Sequence, residues 1–156
     1  MQKITPCLWF DGKAEEAMNF YVSVFPNAKI GDIMRWGDTG PGPKGSVLSI
    51  ECEIEGQRFM ALNGGPMFTF TPAISFFVAC ETQQEVDRYW SKLGDGGRPN
   101  QCGWLQDRFG VSWQIVPTAL GRMLKDKDPA KADRVMKAMM TMTKLDVARL
   151  QAAYEH

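Results

Sequence analysis

The chain has 156 residues, of which 44% are hydrophobic and 23% charged, values typical of one globular domain with its own core. The 18 lysines and arginines balance the 18 aspartates and glutamates, and no basic run occurs, which argues against a nucleic-acid partner. No apolar run could span a bilayer, and no signal core is present in MQKITPCLWFDG. We therefore expect a cytoplasmic protein with no membrane partner.

Cysteine and histidine usage excludes several metal and redox sites. None of the four cysteines forms a C-x-x-C pair, which excludes zinc ribbons and thioredoxin-like motifs. Cys7, Cys52 and Cys80 lie in apolar runs and are predicted to be buried, whereas Cys102 lies beside a glycine turn and its role is left open. The single histidine, His156, is the last residue, so histidine-based triads and metal sites are excluded from the folded body.

The first half begins with a strand, a helix and a second strand. Residues 3–10 form an apolar strand, and Asp11 is a candidate N-cap for a helix whose apolar residues recur at helical spacing. Residues 28–36 are predicted as the second strand. The segment 37–45 holds four glycines and two prolines, so it is predicted to be a loop.

A hairpin completes this half. Residues 46–54 alternate between apolar and polar side chains, which predicts a half-buried strand with Ser49 and Glu51 on its polar face. Gly56 marks the turn, and residues 57–63 form the return strand.

The same order of elements begins again in the second half. Residues 72–80 are predicted as a strand, and Thr82 with Glu85 matches a capping box at the start of a helix. Residues 102–108 and 111–117 are predicted as strands. The sequence therefore predicts an α+β fold of two βαβββ modules.

A helical tail is predicted to follow. Asp128 and Pro129 have the pattern of an N-cap and a first-turn proline, and residues 144–155 form a second short helix. We expect the methionine-rich apolar stripe of the tail to pack on the domain or on a second subunit. The predicted boundaries are 1–65 and 66–120 for the two modules of a domain at 1–120, and 121–156 for the tail.

Four stretches resemble a known family. They are TPCLWFDGKAEEAMNFY, GQRFMALNGGPMFTFTPAISFFV, ETQQEVDRYW and QCGWLQDRFGVSWQIVP. Together they resemble the PhnB-like branch of the vicinal-oxygen-chelate (glyoxalase/bleomycin-resistance) superfamily, a branch also described as a demethylubiquinone methyltransferase domain. The resemblance extends over nearly the whole chain, including the tail.

The resemblance implies a fold and an assembly more than a reaction. Each module is expected to be a four-stranded sheet, the two together forming a curved mixed-sheet cup, and relatives commonly pair as homodimers. The scaffold is shared by glyoxalases, dihydroxybiphenyl dioxygenase-like enzymes and drug-binding proteins, so it does not assign an activity. No glycine-rich nucleotide loop lies between a strand and a helix, which argues against methyl transfer.

The resemblance also implies where metal ligands would lie. Metal-dependent relatives place one ligand on the first and one on the last strand of each module. The last-strand positions, four residues after each hairpin glycine, are Met60 and Gln114, and the first-strand positions fall near Pro6 and near Ala73 or Ile74. Divalent metals favour carboxylate oxygen and imidazole nitrogen. We therefore predict no metal ion, and no cofactor is indicated.

Strand alternation assigns faces and candidate ligand-binding residues. Predicted to face the cup are Arg58, Met60, Leu62, Ser112, Gln114 and Val116. Predicted to face the helices are Phe59, Ala61, Trp113 and Ile115. The candidate ligand-binding residues are Ser49, Arg58, Met60, Asn63, Trp104 and Gln114. Alternatives remain for several: Arg58 and Glu51 could form a solvated cross-strand pair, Trp104 could be core, and Asn63 could form a turn.

Two functions from different classes fit these residues. The first is a metal-free protein that binds a small organic molecule. The second is a metal-independent enzyme with Glu51 as general base, which requires a buried carboxylate. A dimer without a ligand is a third possibility. The depth at which Glu51 lies distinguishes the first two, so the sequence leaves open whether the protein is an enzyme.

Overall fold

The structure is a computed structural model that describes residues 2–156. The chain divides into two compact units, the first ending at Phe70 and the second covering residues 71–156. Within the described residues, each unit contains a four-stranded mixed sheet, and helices pack on the sheet.

The first unit has the order strand, helix, three strands. Its elements are β1 (Cys7–Phe10), α1 (Ala14–Val24), β2 (Ala28–Arg35), β3 (Val47–Ile54) and β4 (Gln57–Asn63). The sheet order is β1-β4-β3-β2, in which β1 is parallel to β4 and the other pairs are antiparallel.

The second unit repeats this order and adds three helices. Its elements are β5 (Ser75–Cys80), α2 (Gln83–Gly94), β6 (Arg98–Pro99), β7 (Trp104–Gln106), β8 (Ser112–Pro117), α3 (Thr118–Leu124), α4 (Pro129–Met140) and α5 (Val147–Glu155). The sheet order is β5-β8-β7-β6, again with a parallel pair, β5 and β8. The predicted α+β class, the repeated βαβββ order and the C-terminal helices are confirmed.

Each sheet has one face that packs on its helix, which we call the helix face, and an opposite open face. Phe59 and Ala61 in β4 are buried, as are Trp113 and Ile115 in β8. The predicted helix-facing residues are therefore confirmed. Because these four side chains are apolar and enclosed, they contribute the hydrophobic free energy that joins each sheet to its helix.

The prediction that Asp11 caps α1 is wrong. Gly12, at a positive φ of 74°, and Lys13 separate Asp11 from the helix, and the N-cap position has no side-chain cap of its own. Instead, the backbone N–H of Ala14 donates to Oδ1 of Asn63, at 2.9 Å. A residue 49 positions away thus satisfies one of the donors that a helix start leaves open.

The other two predicted caps are confirmed. The hydroxyl of Thr82 accepts from the backbone N–H of Glu85 at 3.1 Å, which starts α2. Asp128 accepts from the N–H of Ala130 at 3.0 Å, and Pro129 occupies the first turn of α4. Both rely on neighbours within three residues, so local sequence is enough to identify them.

Cys52 and Cys80 are buried as predicted, but the prediction for Cys7 is wrong: its residue surface is exposed. β1 is an edge strand, and its alternating side chains bury Leu8 and Phe10 on the helix face. Cys7 therefore points to the open face.

One helix was missed. α3 follows β8 without a loop, and its sequence, TALGRML, carries Gly121 at the centre. A central glycine costs about 1 kcal/mol of helix propensity, so tertiary packing has to compensate for it. Leu120 and Met123 of α3 are buried in the tail's own core.

The tail forms its own apolar cluster and is tied to the second sheet. The cluster consists of Val116, Leu120, Met123, Val135, Met142, Leu145 and Leu150. The backbone N–H groups of Cys102 and Gly103 donate to the carbonyls of Met142 and Thr143, both at 2.8 Å. Gly103 has a positive φ of 84°, and a Cβ there would lie 2.9 Å from the carbonyl oxygen of Ile115. Glycine is therefore required where the tail meets β8.

In residues 2–156, no helix combines the length and apolarity needed to cross a membrane.

Candidate functional site

The open face of the first sheet carries four of the predicted site residues. Glu51 lies opposite Met60 and Ser49 opposite Leu62 in the register of β3 and β4. The Arg58 guanidinium donates to Oε2 of Glu51 at 2.9 Å, so the predicted cross-strand pair is formed, although Arg58 lies directly opposite Glu53. The side chains of the pair are 39% and 26% exposed.

This pair limits what Glu51 can do chemically. One of its two carboxylate oxygens, Oε2, is held by the Arg58 guanidinium in a charge-assisted hydrogen bond. Neither Glu51 nor Arg58 lines the groove found in the first unit. The pair therefore has the features of a partly solvated surface ion pair rather than of a general base in an enclosed cavity.

A groove of about 550 Å³ lies in the first unit, next to the glycine-rich loop at 37–45. Arg35, Trp36 and Glu15 line it, together with Asn63. The amide of Asn63 is used at both ends, since its Oδ1 accepts from Ala14 and its Nδ2 donates to the carbonyl of Val47 at 3.1 Å. Asn63 is therefore neither the predicted turn former nor a free pocket amide.

The glycines that follow β4 serve packing. The indole N–H of Trp9 donates to the carbonyl oxygen of Gly65 at 2.8 Å. Any Cβ at Gly64 would clash with the same indole ring. After Gly65 the chain continues without a helix until β5. Gly64 therefore leaves room for the side chain of Trp9, and Gly65 accepts its hydrogen bond. The two glycines do not form the strand-to-helix loop that binds a nucleotide.

The second unit contains a groove of about 520 Å³ between the open face of its sheet and the tail. Phe77, Trp104, Gln114 and Val116 form the sheet side. The opposite wall comes from α3 and from one residue of α4, and consists of Leu120, Gly121, Arg122, Leu124, Lys125 and Met139. The two predicted site residues Trp104 and Gln114 thus meet in one groove.

Gln114 is the central polar group of this groove. Its neighbours in the register are Phe77 on β5 and Trp104 on β7. Its Nε2 donates to the hydroxyl of Ser75 at 2.9 Å, whereas its Oε1 accepts no hydrogen bond from the described residues. The nearby hydroxyl of Ser112 is buried and has no partner in that part of the chain. One amide oxygen is therefore available to a ligand.

The groove also leaves large apolar surface uncovered. Phe77 is 61% exposed, and Trp104 is half-buried. The indole N–H of Trp104 has no hydrogen-bond partner among residues 2–156. Apolar walls with a few unsatisfied polar groups are characteristic of small-molecule sites.

Cys102 lines the same groove, whereas the buried thiols are chemically protected. Burial raises the pKa of Cys52 to about 11 and, with a contribution from Glu85, that of Cys80 to about 12. Both thiols therefore remain protonated at neutral pH, whereas the thiolate is the reactive form. Cys7 and Cys102 are the more accessible of the four.

The register of each sheet shows which first-strand residues pair with the two last-strand positions, Met60 and Gln114. The residue opposite Met60 is Cys7, one position beyond Pro6. The residue opposite Gln114 is Phe77, because β5 starts at Ser75, after Ala73 and Ile74. Within residues 2–156, no three His, Cys, Asp or Glu side chains are grouped as metal ligands would be.

Asp107 has the structural role predicted for its hairpin. It is buried, and its Oδ1 accepts from the backbone N–H groups of Phe109 at 2.8 Å and Val111 at 3.0 Å. Its Oδ2 accepts from the indole N–H of Trp113 at 2.9 Å. The carboxylate thus fixes the turn before β8 and orients a core tryptophan.

Comparison with known proteins places this geometry in a family. The family model described as 3-demethylubiquinone-9 3-methyltransferase matches residues 2–116. A PhnB protein of Bacillus cereus, described as a candidate enzyme of that name, is 43% identical over 74% of this chain and 99% of its own, with a TM-score of 0.69. A Pseudomonas aeruginosa protein is 20% identical over 75% of this chain and 98% of its own, with a TM-score of 0.63.

A more distant structure is also similar over part of the chain. The Listeria monocytogenes fosfomycin resistance protein, solved with Mn(II) and sulfate, is 14% identical over 72% of this chain and 88% of its own, with a TM-score of 0.49. Comparison with curated proteins gives no match. The predicted resemblance to the PhnB-like family is confirmed by the family model and by the Bacillus cereus protein.

The match does not extend to the tail, contrary to our expectation. The family model ends at Val116, before α3 begins. Because 99% of the Bacillus cereus chain is aligned to 74% of this one, the remaining quarter has no counterpart there. The helices that wall the second groove therefore lie outside both matches.

Proposed function

The chain belongs to the family described as 3-demethylubiquinone-9 3-methyltransferase, and from that premise we propose that it binds a small organic molecule, without a metal ion, in the groove of its second unit. The observation that carries the proposal is the groove of about 520 Å³ in which Phe77 remains 61% exposed beside the free amide oxygen of Gln114.

Exposed aromatic surface in a groove is costly unless something covers it. Burying a phenylalanine side chain contributes about 1.5–3 kcal/mol relative to leaving it in water. An organic ligand lying on Phe77 and Trp104 would recover part of that free energy. Gln114, between them, can fix the ligand's orientation through one hydrogen bond, in the manner of other small-molecule sites.

The donor groups support binding without a metal ion. The paired residues at the strand positions where metal ligands would be expected are Cys7 and Met60 in the first sheet and Phe77 and Gln114 in the second. A thiol, a thioether, a phenyl ring and an amide are a poor set for divalent metals, which favour carboxylate or imidazole ligands. The residues therefore do not fit the metal chemistry of the superfamily.

Two activities have less support. Glu51 is paired with Arg58 at 2.9 Å and its side chain is 26% exposed, whereas a general base of this kind requires a buried carboxylate. Methyl transfer would require a site for a nucleotide-like methyl donor, and the glycines at 64 and 65 instead pack on Trp9. We therefore favour a binding protein over a metal-independent enzyme.

Partners other than the ligand are proposed from the family. We expect a homodimer, as in relatives, since several large apolar side chains are exposed and remain available for a second copy. They include Ile4, Met67, Phe68 and Ile74. Light scattering on the purified protein checks this expectation, and a monomer at micromolar concentration contradicts it.

The first experiment is a thermal-shift screen of organic compounds and divalent metal ions. An organic ligand should raise the Tm by mass action, and Mn(II) or Zn(II) should not. Thiol labelling then locates the site: a compound in the proposed groove slows maleimide labelling of Cys102, and labelling of Cys7 serves as the internal control. A Tm increase with a metal ion, or protection that omits Cys102, would overturn the proposal.

Gln114→Ala separates binding from folding. Losing one ligand hydrogen bond of about 0.5–1.5 kcal/mol should weaken binding roughly 2- to 13-fold, measured by calorimetry. Met60→Ala, at the equivalent position of the first sheet, is the matched control and should leave binding unchanged. Unfolding of Gln114→Ala at much lower denaturant concentration would instead make Gln114 a structural residue.

A further inference from the structure

The wall that the tail adds to the second groove carries two cations. Arg122 lies in α3, and Lys125 is its C-terminal cap residue. Both line the groove opposite the sheet side formed by Phe77 and Trp104. The sheet side of the groove is therefore mainly apolar, and the tail side carries two positive charges.

Neither cation is neutralised by the protein. Within residues 2–156, Arg122 and Lys125 form no ion pair, and the side-chain contact of Arg122 is to the hydroxyl of Thr118, at 3.5 Å. That hydroxyl in turn donates to Glu81 at 3.4 Å, so Thr118 stands between Arg122 and this carboxylate.

The acid that follows Lys125 in the sequence is already engaged. Asp126 accepts from the backbone N–H of Asp128 at 2.8 Å with one oxygen, and from the hydroxyl of Tyr154 with the other. The hydrogen bond from Tyr154, followed by that from Asp128, lowers the pKa of Asp126. Both oxygens are thus directed to groups other than Lys125.

Other cations of the second unit contrast with this pair. Lys137 is paired with Asp133 at 3.1 Å, and Lys144 with Asp87 at 2.7 Å. Arg134 donates to the carbonyls of Ala153 and Tyr154. Within the described residues, the two cations that line the groove have no carboxylate partner, as is also true of some cations outside the groove, such as Arg88 and Lys92.

We infer that the groove selects an organic anion with an aromatic body, whose ring packs on Phe77 and Trp104 and whose carboxylate or similar group is held by Arg122 and Lys125. The inference rests on the proposed function and deepens it by naming the ligand class. Arginine and lysine supply charge-assisted hydrogen bonds to such a group, and the aromatic side chains supply the surface for the ring. Because α3 lies outside the family match, this selectivity belongs to this chain's own tail.

The test compares two probes that share one ring system. 2-Naphthoate carries the negative charge, and 2-naphthylmethanol replaces the carboxylate with a neutral group. Two partly exposed ion pairs should make the carboxylate bind about tenfold more tightly at low ionic strength, measured by calorimetry. The difference should shrink as salt is added, because exposed charges are screened.

Variants assign the effect to the two cations. The double variant Arg122→Gln, Lys125→Gln should bind both probes with equal affinity, since it keeps the apolar wall and loses the charges. Lys127→Gln is the matched control, because Lys127 is exposed, close in sequence and outside the groove lining. It should retain the tenfold preference.

The outcomes separate this inference from the proposed function. Equal binding of both probes by the wild type, with Cys102 protected, would overturn the anion selectivity and leave the binding proposal standing. A preference that persists in the double variant would also overturn the selectivity. Failure of both probes to bind would overturn the inferred ligand class, while the proposed function is decided separately by the thermal-shift screen and the protection of Cys102.

Discussion

The two sheets share one strand order but present different open faces. In the first, Glu51 and Arg58 form an ion pair between strands of eight and seven residues. In the second, uncharged side chains predominate, β6 and β7 have two and three residues, and the tail covers part of the face. The same strand order thus presents a charged surface in one unit and, in the other, a groove whose sheet side is mainly uncharged.

Part of the difference between the two open faces comes from the helices that follow β8. Both βαβββ units lie within the part of the chain matched by the family, whereas α3–α5 lie outside it. The scaffold sets the strand positions, and the tail supplies the wall and the two cations. The wall of the second groove and its two cations therefore belong to a part of the chain outside the family match, and the shared fold alone does not determine a function.

The largest expected loss of stability comes from a core residue on the helix face, which both sheets share. Trp113→Ala removes a core side chain and its hydrogen bond to Asp107, and should lower the free energy of unfolding by about 3–5 kcal/mol. Trp104→Ala, on the open face of the same sheet, should cost less than about 1.5 kcal/mol because Trp104 is only half-buried. Denaturant unfolding measures both, and a loss below about 1 kcal/mol for Trp113→Ala would contradict its placement in the core.

A smaller effect distinguishes how the two units start their helices. Asn63→Ala removes the distant cap of α1 and the hydrogen bond to Val47, so we expect a loss of about 1–2 kcal/mol. Thr82→Ala removes the local cap of α2 and should cost about 1 kcal/mol. Asn63→Asp, which keeps the acceptor, should recover part of the loss in the same unfolding assay. Equal stability of Asn63→Ala and wild type would mean that α1 does not depend on this contact.

The smallest effect concerns the charged face. A double-mutant cycle with Glu51→Gln and Arg58→Gln should give a coupling of about 0.2–1 kcal/mol that decreases with added salt. Ligand binding should be unchanged in both variants, because the pair lies outside the proposed groove. A large fall in binding or in a newly found activity would return Glu51 to the candidate catalytic residues.

Local and periodic features of the sequence were sufficient for much of the fold. The strand at 57–63 was predicted at its observed bounds, and alternation correctly buried Phe59 and Trp113. Thr82 and Asp128 were identified because their caps involve neighbours in sequence. Such features depend on spacing alone, which one sequence provides.

What the sequence did not provide depends on contacts between distant residues. The role of Asn63 requires the end of β4 to lie beside the start of α1, and Cys7 is exposed because β1 is an edge strand. Grouping Trp104 and Gln114 required the register of β7 and β8. The helix α3 has a weak sequence signal because of Gly121, so the wall of the groove could not be anticipated.

Because the tail is synthesised last, it also matters for how the second sheet is covered during synthesis. The second sheet is complete in the sequence at Pro117, and the residues that wall its open face are translated afterwards. Until they emerge from the ribosome, Val116, which the tail buries in the complete protein, presents an apolar strand surface of the kind through which nascent chains associate. The amide of Gln114 and the hydroxyl of Ser75 keep that surface partly polar during the interval. When the helices that wall the groove fold, they cover part of this newly made sheet.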